Sequence, residues 1–194
     1  ARLLRLSADT RRVLRAASLF GEQFSAEGVG YLLGVSQPSV LMEQEFRKLI
    51  QAELIESAPS DSHSRGTEYQ FRHALMRDAA YSLLTADDRT LGHRMAGRYL
   101  EAHGERNPLL LAEHFQRGKV PLAAAPYLLR AAERALAVSD FDQALRLAEQ
   151  GAQCEPSSEV RGSLRAIQLA AYFWRDGWTA ALPAGQEAIT LLPE

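Results

Sequence analysis

Phe141-Asp142-Gln143-Ala144-Leu145 recurs 37 positions later as Trp178-Thr179-Ala180-Ala181-Leu182. Each copy runs on to a proline at the same remove, Pro156 and Pro193. The aromatic-x-x-Ala-Leu spacing suits the opening turns of a helix, and the proline marks where that helix stops, because it brings no N–H to the ladder. Internal similarity at a period of about 20–50 residues is the mark of stacked repeats. A helical hairpin in such an array cannot cover its apolar face alone, so neighbours must stack. Stacks of this kind are usually scaffolds that hold other chains. The repeat therefore points away from catalysis before any residue chemistry is weighed.

Working outward, the periodicity predicts helical hairpins at 121–138 with 140–153 and at 159–176 with 178–192. Ala131, Ala132, Ala135, Ala144 and Ala148 are small enough to let neighbouring helices approach closely. Phe141 and Trp178 are expected to fill the space where the two helices of a hairpin meet, with Ala144 and Ala181 beside them. Tyr172, Phe173, Trp174 and Trp178 form an aromatic group expected to pack in the core; a peptide or ligand groove on the concave face of the repeats is the alternative. Pro126 falls near the start of its helix, where it is tolerated. Pro183 is expected to bend the last helix slightly.

Upstream, Ser7 or Asp9 caps a helix carrying Val13, Leu14, Ala17 and Phe20 and ending at Gly21. A short helix follows over 25–33, stopping at Gly34. Ser36 is expected to cap a third, with Val40, Leu41, Phe46, Leu49 and Ile50 as its apolar face. Strands are predicted at 53–58 and 67–72, around the turn-rich Pro59-Ser60-Asp61-Ser62-His63-Ser64-Arg65-Gly66. Three helices and then a hairpin with a polar tip is the order of a winged helix. Helices are predicted at 74–84, with Leu75, Met76, Ala79, Ala80 and Leu83 inside, and from Asp87 or Asp88 to about His103. Another starts at Pro108 and ends near Gly118, since proline suits a first helical position.

The bulk composition is that of a globular chain: 194 residues, 46% apolar and 24% charged. A net charge of −2 offers no general attraction to nucleic acid or an anionic membrane. Cys154 is the only cysteine, so no intrachain disulfide forms, and a reducing, cytoplasmic setting is expected. No apolar run approaches the roughly 20 residues that span a bilayer. Ala1 to Leu6 carries Arg2 and Arg5 and does not read as a signal peptide. The chain starts without Met and stops just after a helix, so it is expected to be an excised piece of a longer protein.

Catalytic and cofactor chemistry finds little purchase. No Gly-x-x-x-x-Gly-Lys-Ser/Thr occurs, so the backbone cradle for nucleotide phosphates is missing. Gly28, Gly30 and Gly34 miss the dinucleotide spacing by one residue and follow no predicted strand. The histidines at 63, 73, 93, 103 and 114 include no i,i+4 pair. Cys154 has Glu149 and Glu155 near it, which would raise a thiol pKa. No catalytic, metal or cofactor residue is expected, and the chain is read as a non-enzyme. A DNA-binding regulator using residues 36–52 as reading helix is the alternative function. It is poorly supplied with charge: Arg2, Arg5, Arg11, Arg12, Arg15, Arg47 and Lys48 face Asp9, Glu22, Glu27, Glu43, Glu45, Glu53 and Glu56 within the first 60 residues.

Tyr69-Gln70-Phe71-Arg72-His73-Ala74-Leu75-Met76-Arg77-Asp78-Ala79-Ala80-Tyr81-Ser82-Leu83-Leu84 resembles a junction in signal-transduction ATPases of the STAND class, where a strand ending Phe-x-His runs straight into a helix. His93, Ala96, Tyr99 and Leu100-Glu101 are similar to the next helix of that class, and Ala112-Glu113-His114-Phe115 to the one after. Leu6-Ser7 through Phe20-Gly21 resembles the first helix of the winged-helix domain that follows the ATPase core. The hairpins resemble tetratricopeptide (TPR) repeats, although their period exceeds the usual value of about 34 and Ser139 and Asp176 stand where a glycine is common.

The resemblance implies a mainly α chain: a winged-helix-like domain at 1–72, connecting helices at 73–120 and TPR-like repeats at 121–194. It implies a regulatory module whose partners are an upstream nucleotide-binding domain of the same chain and a protein or small-molecule inducer on the repeats. ATP and Mg would be bound by the parent protein; the Ala- and Arg-rich composition of this chain, Gly151 through Leu169 in particular, looks most like that of large bacterial serine/threonine kinases with an ATPase and TPR tail. Phe71, His73, Leu75, Ala79, Tyr81 and Leu84 would form the rigid joint between the halves. His73 lies near the second strand and not at the nucleotide-sensing position of that class, so it is expected to cap its helix or fill the junction.

Overall fold

Ser7 opens the first helix: its Oγ accepts the Thr10 amide at 3.1 Å, pairing one of the first-turn N–H groups that have no partner within the helix. Helix α1 then runs Ala8–Ser18. In this computed structural model the described residues are 3–35, 40–58 and 67–191, with the backbone alone at Leu4. The expected Ser36 cap, the polar tip at 59–66 and Pro193 lie outside them. The chain is mainly helical, with ten α-helices and one three-stranded sheet among the described residues. It divides into two compact units, Ala1–His103 and Gly104–Glu194. The division falls in neither place where the sequence suggested a boundary, 72 or 120.

In the first unit, α2 (Ala26–Leu33) is capped by Ser25 and stops at Gly34, whose φ of 74° lies in the left-handed region that glycine enters without a Cβ penalty. Helix α3 spans Val40–Gln51. Strands β2 (Ile55–Ser57) and β3 (Glu68–Phe71) pair antiparallel where a hairpin was predicted, Ile55 opposite Phe71. A third strand, β1 (Gln23–Ser25), pairs with the other edge of β3, Phe24 opposite Tyr69. Nothing in three residues that end on a helix cap announces a strand; β3 supplies its ladder. Helices α4 (Ala74–Ser82) and α5 (Ala86–Ala102) complete the unit, α4 packed on α1 and α5 on α2.

The core gathers Leu14, Val29, Phe46, Leu49, Leu54 and Ile55. Two expected apolar faces are corrected. On α3 the buried residues are Met42, Phe46 and Leu49, while Val40, Leu41 and Ile50 are exposed; positions i, i+4 and i+7 share one face, and the others point off it. On α4 only Ala80 is buried, and Leu75 is 78% exposed with Leu83 also exposed.

A polar clasp ties α1 to α3. Thr10 Oγ1 donates to Glu45 Oε2 at 2.5 Å, and Lys48 Nζ donates to Oε1 at 2.6 Å. The Lys48 bond first, then that of Thr10, holds the Glu45 carboxyl below its usual range. A carboxylate whose folded pKa is depressed stabilises the fold above its unfolded value, and that stabilisation is lost as pH falls through the folded value. Stability is therefore expected to fall below about pH 4.5, and Glu45→Gln should flatten that part of the curve. Urea midpoints measured from pH 7 to pH 3 check this; an equally steep fall in the variant would remove Glu45 from the account.

The second unit is a run of antiparallel helices: α6 (Pro108–Arg117), α7 (Pro121–Ala137), α8 (Phe141–Ala152), α9 (Ser158–Asp176) and α10 (Trp178–Leu191). Each packs on the next, and α7 packs also on α9. Ala124, Ala132, Ala144, Ala148, Ala171 and Ala181 are buried at the contacts. Ser139 takes the left-handed turn after α7 (φ 62°), with its N–H on Leu136 O and that of Asp140 on Ala135 O. After α9 the positive φ falls on Gly177 (φ 88°, ψ 178°), an extended conformation open chiefly to glycine, one residue beyond the Asp176 that the sequence suggested. No helix among the described residues is long and apolar enough to cross a membrane.

Candidate functional site

The residues expected to form a joint all lie inside the first unit. Phe71 is buried at the end of β3, and Ala79 and Leu84 are half-buried. His73 stands at the N-cap position of α4 without a side-chain cap bond, and it is exposed, so it neither caps through its ring nor fills a core. Leu75 is turned to solvent. Tyr81 carries the most structure. Its Oη lies 2.9 Å from Nε2 of the buried His93, and the Arg89 guanidinium sits 4.7 Å above its ring. Neither Arg89 nor the Tyr81–His93 pair was singled out from sequence, because the contact spans two helices and leaves no local pattern.

A fully buried Tyr81 would make its replacement by alanine cost ~3 kcal/mol or more. The ring is only half-buried, so the hydrogen bond to His93 becomes the sharper test. Tyr81→Phe is expected to cost about 1 kcal/mol. Unfolding of the two proteins in urea checks it, and identical midpoints would show that the bond contributes nothing.

Tyr99 is a buried ring of the same unit, bonded to Ser25 Oγ at 3.2 Å and stacked 4.0 Å from His103. Burial pushes its phenol above the usual range. Beside it, α1, α2 and α5 enclose an open cavity of about 180 Å³ lined by Ala16, Leu19, Leu32, Leu33, Leu84, Leu91, Gly92 and Met95, with Arg12, Arg15 and Asp88.

In the second unit the expected aromatic packing is overturned. Phe141 is half-buried at the start of α8 and Ala144 and Ala181 are fully buried. Trp174 is 69% exposed, Trp178 is 60% exposed and Phe173 is exposed too. The buried face of α9 is Leu164, Ile167, Gln168 and Ala171; residues 173 and 174 lie off it. The rings still gather on the surface, Phe173 edge-on to Trp174 at 5.2 Å and to Trp178 at 6.0 Å. Half-buried Tyr172 lies under the Arg175 guanidinium at 5.5 Å. Arg175 is held by Asp176 and by Asp142 of α8, each at 2.6 Å, and both pairs strengthen its charged form. The result is an exposed aromatic face beside an ion-paired cation.

Cys154 is buried, and burial pushes its thiol up, away from the nucleophilic thiolate. Among the described residues no three His, Cys, Asp or Glu side chains gather to hold a metal ion. Comparison with protein-family models, with curated proteins and with solved structures gives no match to this chain.

Proposed function

We propose that the chain is a non-catalytic regulatory and protein-interaction part of a multidomain bacterial signalling ATPase of the STAND class. A partner or inducer would bind its helical hairpins, and differential affinity for two arrangements of the parent would shift the equilibrium between them. The observation that carries this reading is the exposed Phe173, Trp174 and Trp178 face. Aromatic residues fixed at a surface are the usual anchors of protein interfaces.

The fold supports it in two ways. The order helix, strand, two helices and two strands over 8–71, with β3 between its neighbours, supports a winged-helix reading. The packing of α7 on both α8 and α9, and of α8 on α9, supports a reading as stacked TPR-like hairpins. The DNA-reading alternative loses ground on α3, where Lys48 is held by Glu45 and Arg47 faces Glu43 at 3.9 Å.

The test is to read the coding region on both sides. A Gly-x-x-x-x-Gly-Lys-Ser/Thr within the same reading frame upstream is expected. A frame carrying no nucleotide-binding core would end this reading. The anchor role has its own readout, because Trp174 and Trp178 are the only tryptophans. Emission is expected to start near that of solvated indole and to move blue when a partner covers the face.

A further inference from the structure

We infer that the cavity between α1, α2 and α5 is a docking site for an acidic protein segment that inserts one leucine or phenylalanine. This goes beyond the proposed function: it concerns the first unit, it does not depend on the ATPase reading, and a segment from any chain could supply the chemistry.

The cavity has the size of one side chain. Its volume of about 180 Å³ is close to that of an engineered cavity of about 150 Å³ that accepts benzene. Its floor is apolar, made by Ala16, Leu19 and Gly92, with Leu32, Leu33 and Met95 around them. Leu91 extends the apolar surface beyond the rim and is 55% exposed.

Charge decides what accompanies that side chain. Arg12 and Arg15 both reach the cavity from α1. Among the described residues neither stands within ion-pair distance of a carboxylate, and Arg12 Nη2 donates to the Leu33 carbonyl at 3.5 Å. Arg15 Nε is buried and has no acceptor among the described residues. A buried donor without an acceptor is costly, and a carboxylate is the strongest acceptor for a guanidinium. Asp88 comes from α5 on the other wall, so the acid of the incoming segment belongs on the α1 side. The open rim favours a segment over a free metabolite, since small-molecule sites enclose most of their ligand.

The probe is a synthetic helical peptide of roughly 14 residues, with Leu and Phe along one face and Glu beside them. Its twin carries Gln in place of Glu. Both are titrated into the ¹⁵N-labelled protein and followed by amide shifts. The Glu peptide is expected to bind at least about tenfold more tightly than the Gln twin, with shifts centred on Leu33, Leu84 and Leu91. Arg15→Gln should reduce the Glu peptide to the level of its twin, while Arg161→Ala, on the exposed side of α9, should change nothing. Leu91→Glu is a second block at an exposed position that folding does not need, and it should weaken both peptides. No shifts at these residues, equal affinity for the two peptides, or binding indifferent to Arg15→Gln and Leu91→Glu would each overturn the inference. So would saturation of the site by hexanoate with the peptide leaving it untouched, which would mark a small-molecule pocket.

Discussion

Phe46→Ala is expected to destabilise the first unit by about 3–5 kcal/mol. Phe46 is 1% exposed, stacks 4.7 Å from Tyr69 with the rings 12° apart, and meets Phe24 at 6.4 Å. It is thus the one ring of α3 that touches two of the three strands. Truncation leaves a ring-sized hole that Tyr69 and Phe24 are too constrained by the sheet to fill. A loss of that size is a large share of the roughly 5–15 kcal/mol by which whole domains are stable. Far-UV circular dichroism in urea should show a clear fall in midpoint, and Phe46→Leu should recover most of it. A shift worth less than about 1 kcal/mol would mean that Phe46 is not the keystone of the α3–sheet contact.

Gly151→Leu is the corresponding test in the second unit, with an expected loss of about 3 kcal/mol. A Cβ at Gly151 would lie 3.0 Å from both methyls of Leu164 and 3.4 Å from Leu128 Cβ. Leu164 and Leu128 are themselves buried, so a leucine there has nowhere to go. Gly151→Ala is different: its single methyl needs only a small shift of Leu164, and alanine favours the helix by up to about 1 kcal/mol. The alanine variant is expected to stay within about 1 kcal/mol of the parent. Amide hydrogen exchange in α8 and α9 across a urea series reports this unit, since both helices lie in it. Equal midpoints for the Leu and Ala variants would show that α8 and α9 are not in close contact at this point.

Helix positions were legible because their signals are local. Ser7, Ser25, Asn107 with Pro108, and Asp140 each place an acceptor or a fixed φ within three residues of the helix they start. The hairpin helices at 121–137, 141–152, 158–176 and 178–191 fall within a residue or so of the predicted ranges. Strand β1 was not legible, because its hydrogen bonds come from a segment more than 40 residues on. The candidate site was read only in part. Tyr81 and Leu84 stand out in the sequence, but the Tyr81–His93 pair, Arg89 and the arginine-rimmed cavity do not, since each depends on helices that meet only in the fold.

Sequence by itself determined a mainly helical chain, the ends of most helices and the pairing of the last four into hairpins. Tertiary structure alone decided which apolar residues those helices hide. Phe173, Trp174, Trp178, Leu75 and Val40 are as apolar as the residues that became core, yet they stand exposed. Caps and helical periodicity act over one or two turns of chain, so they can be read along the sequence. Burial is settled by whichever distant element arrives to cover a face, and no local pattern encodes that arrival.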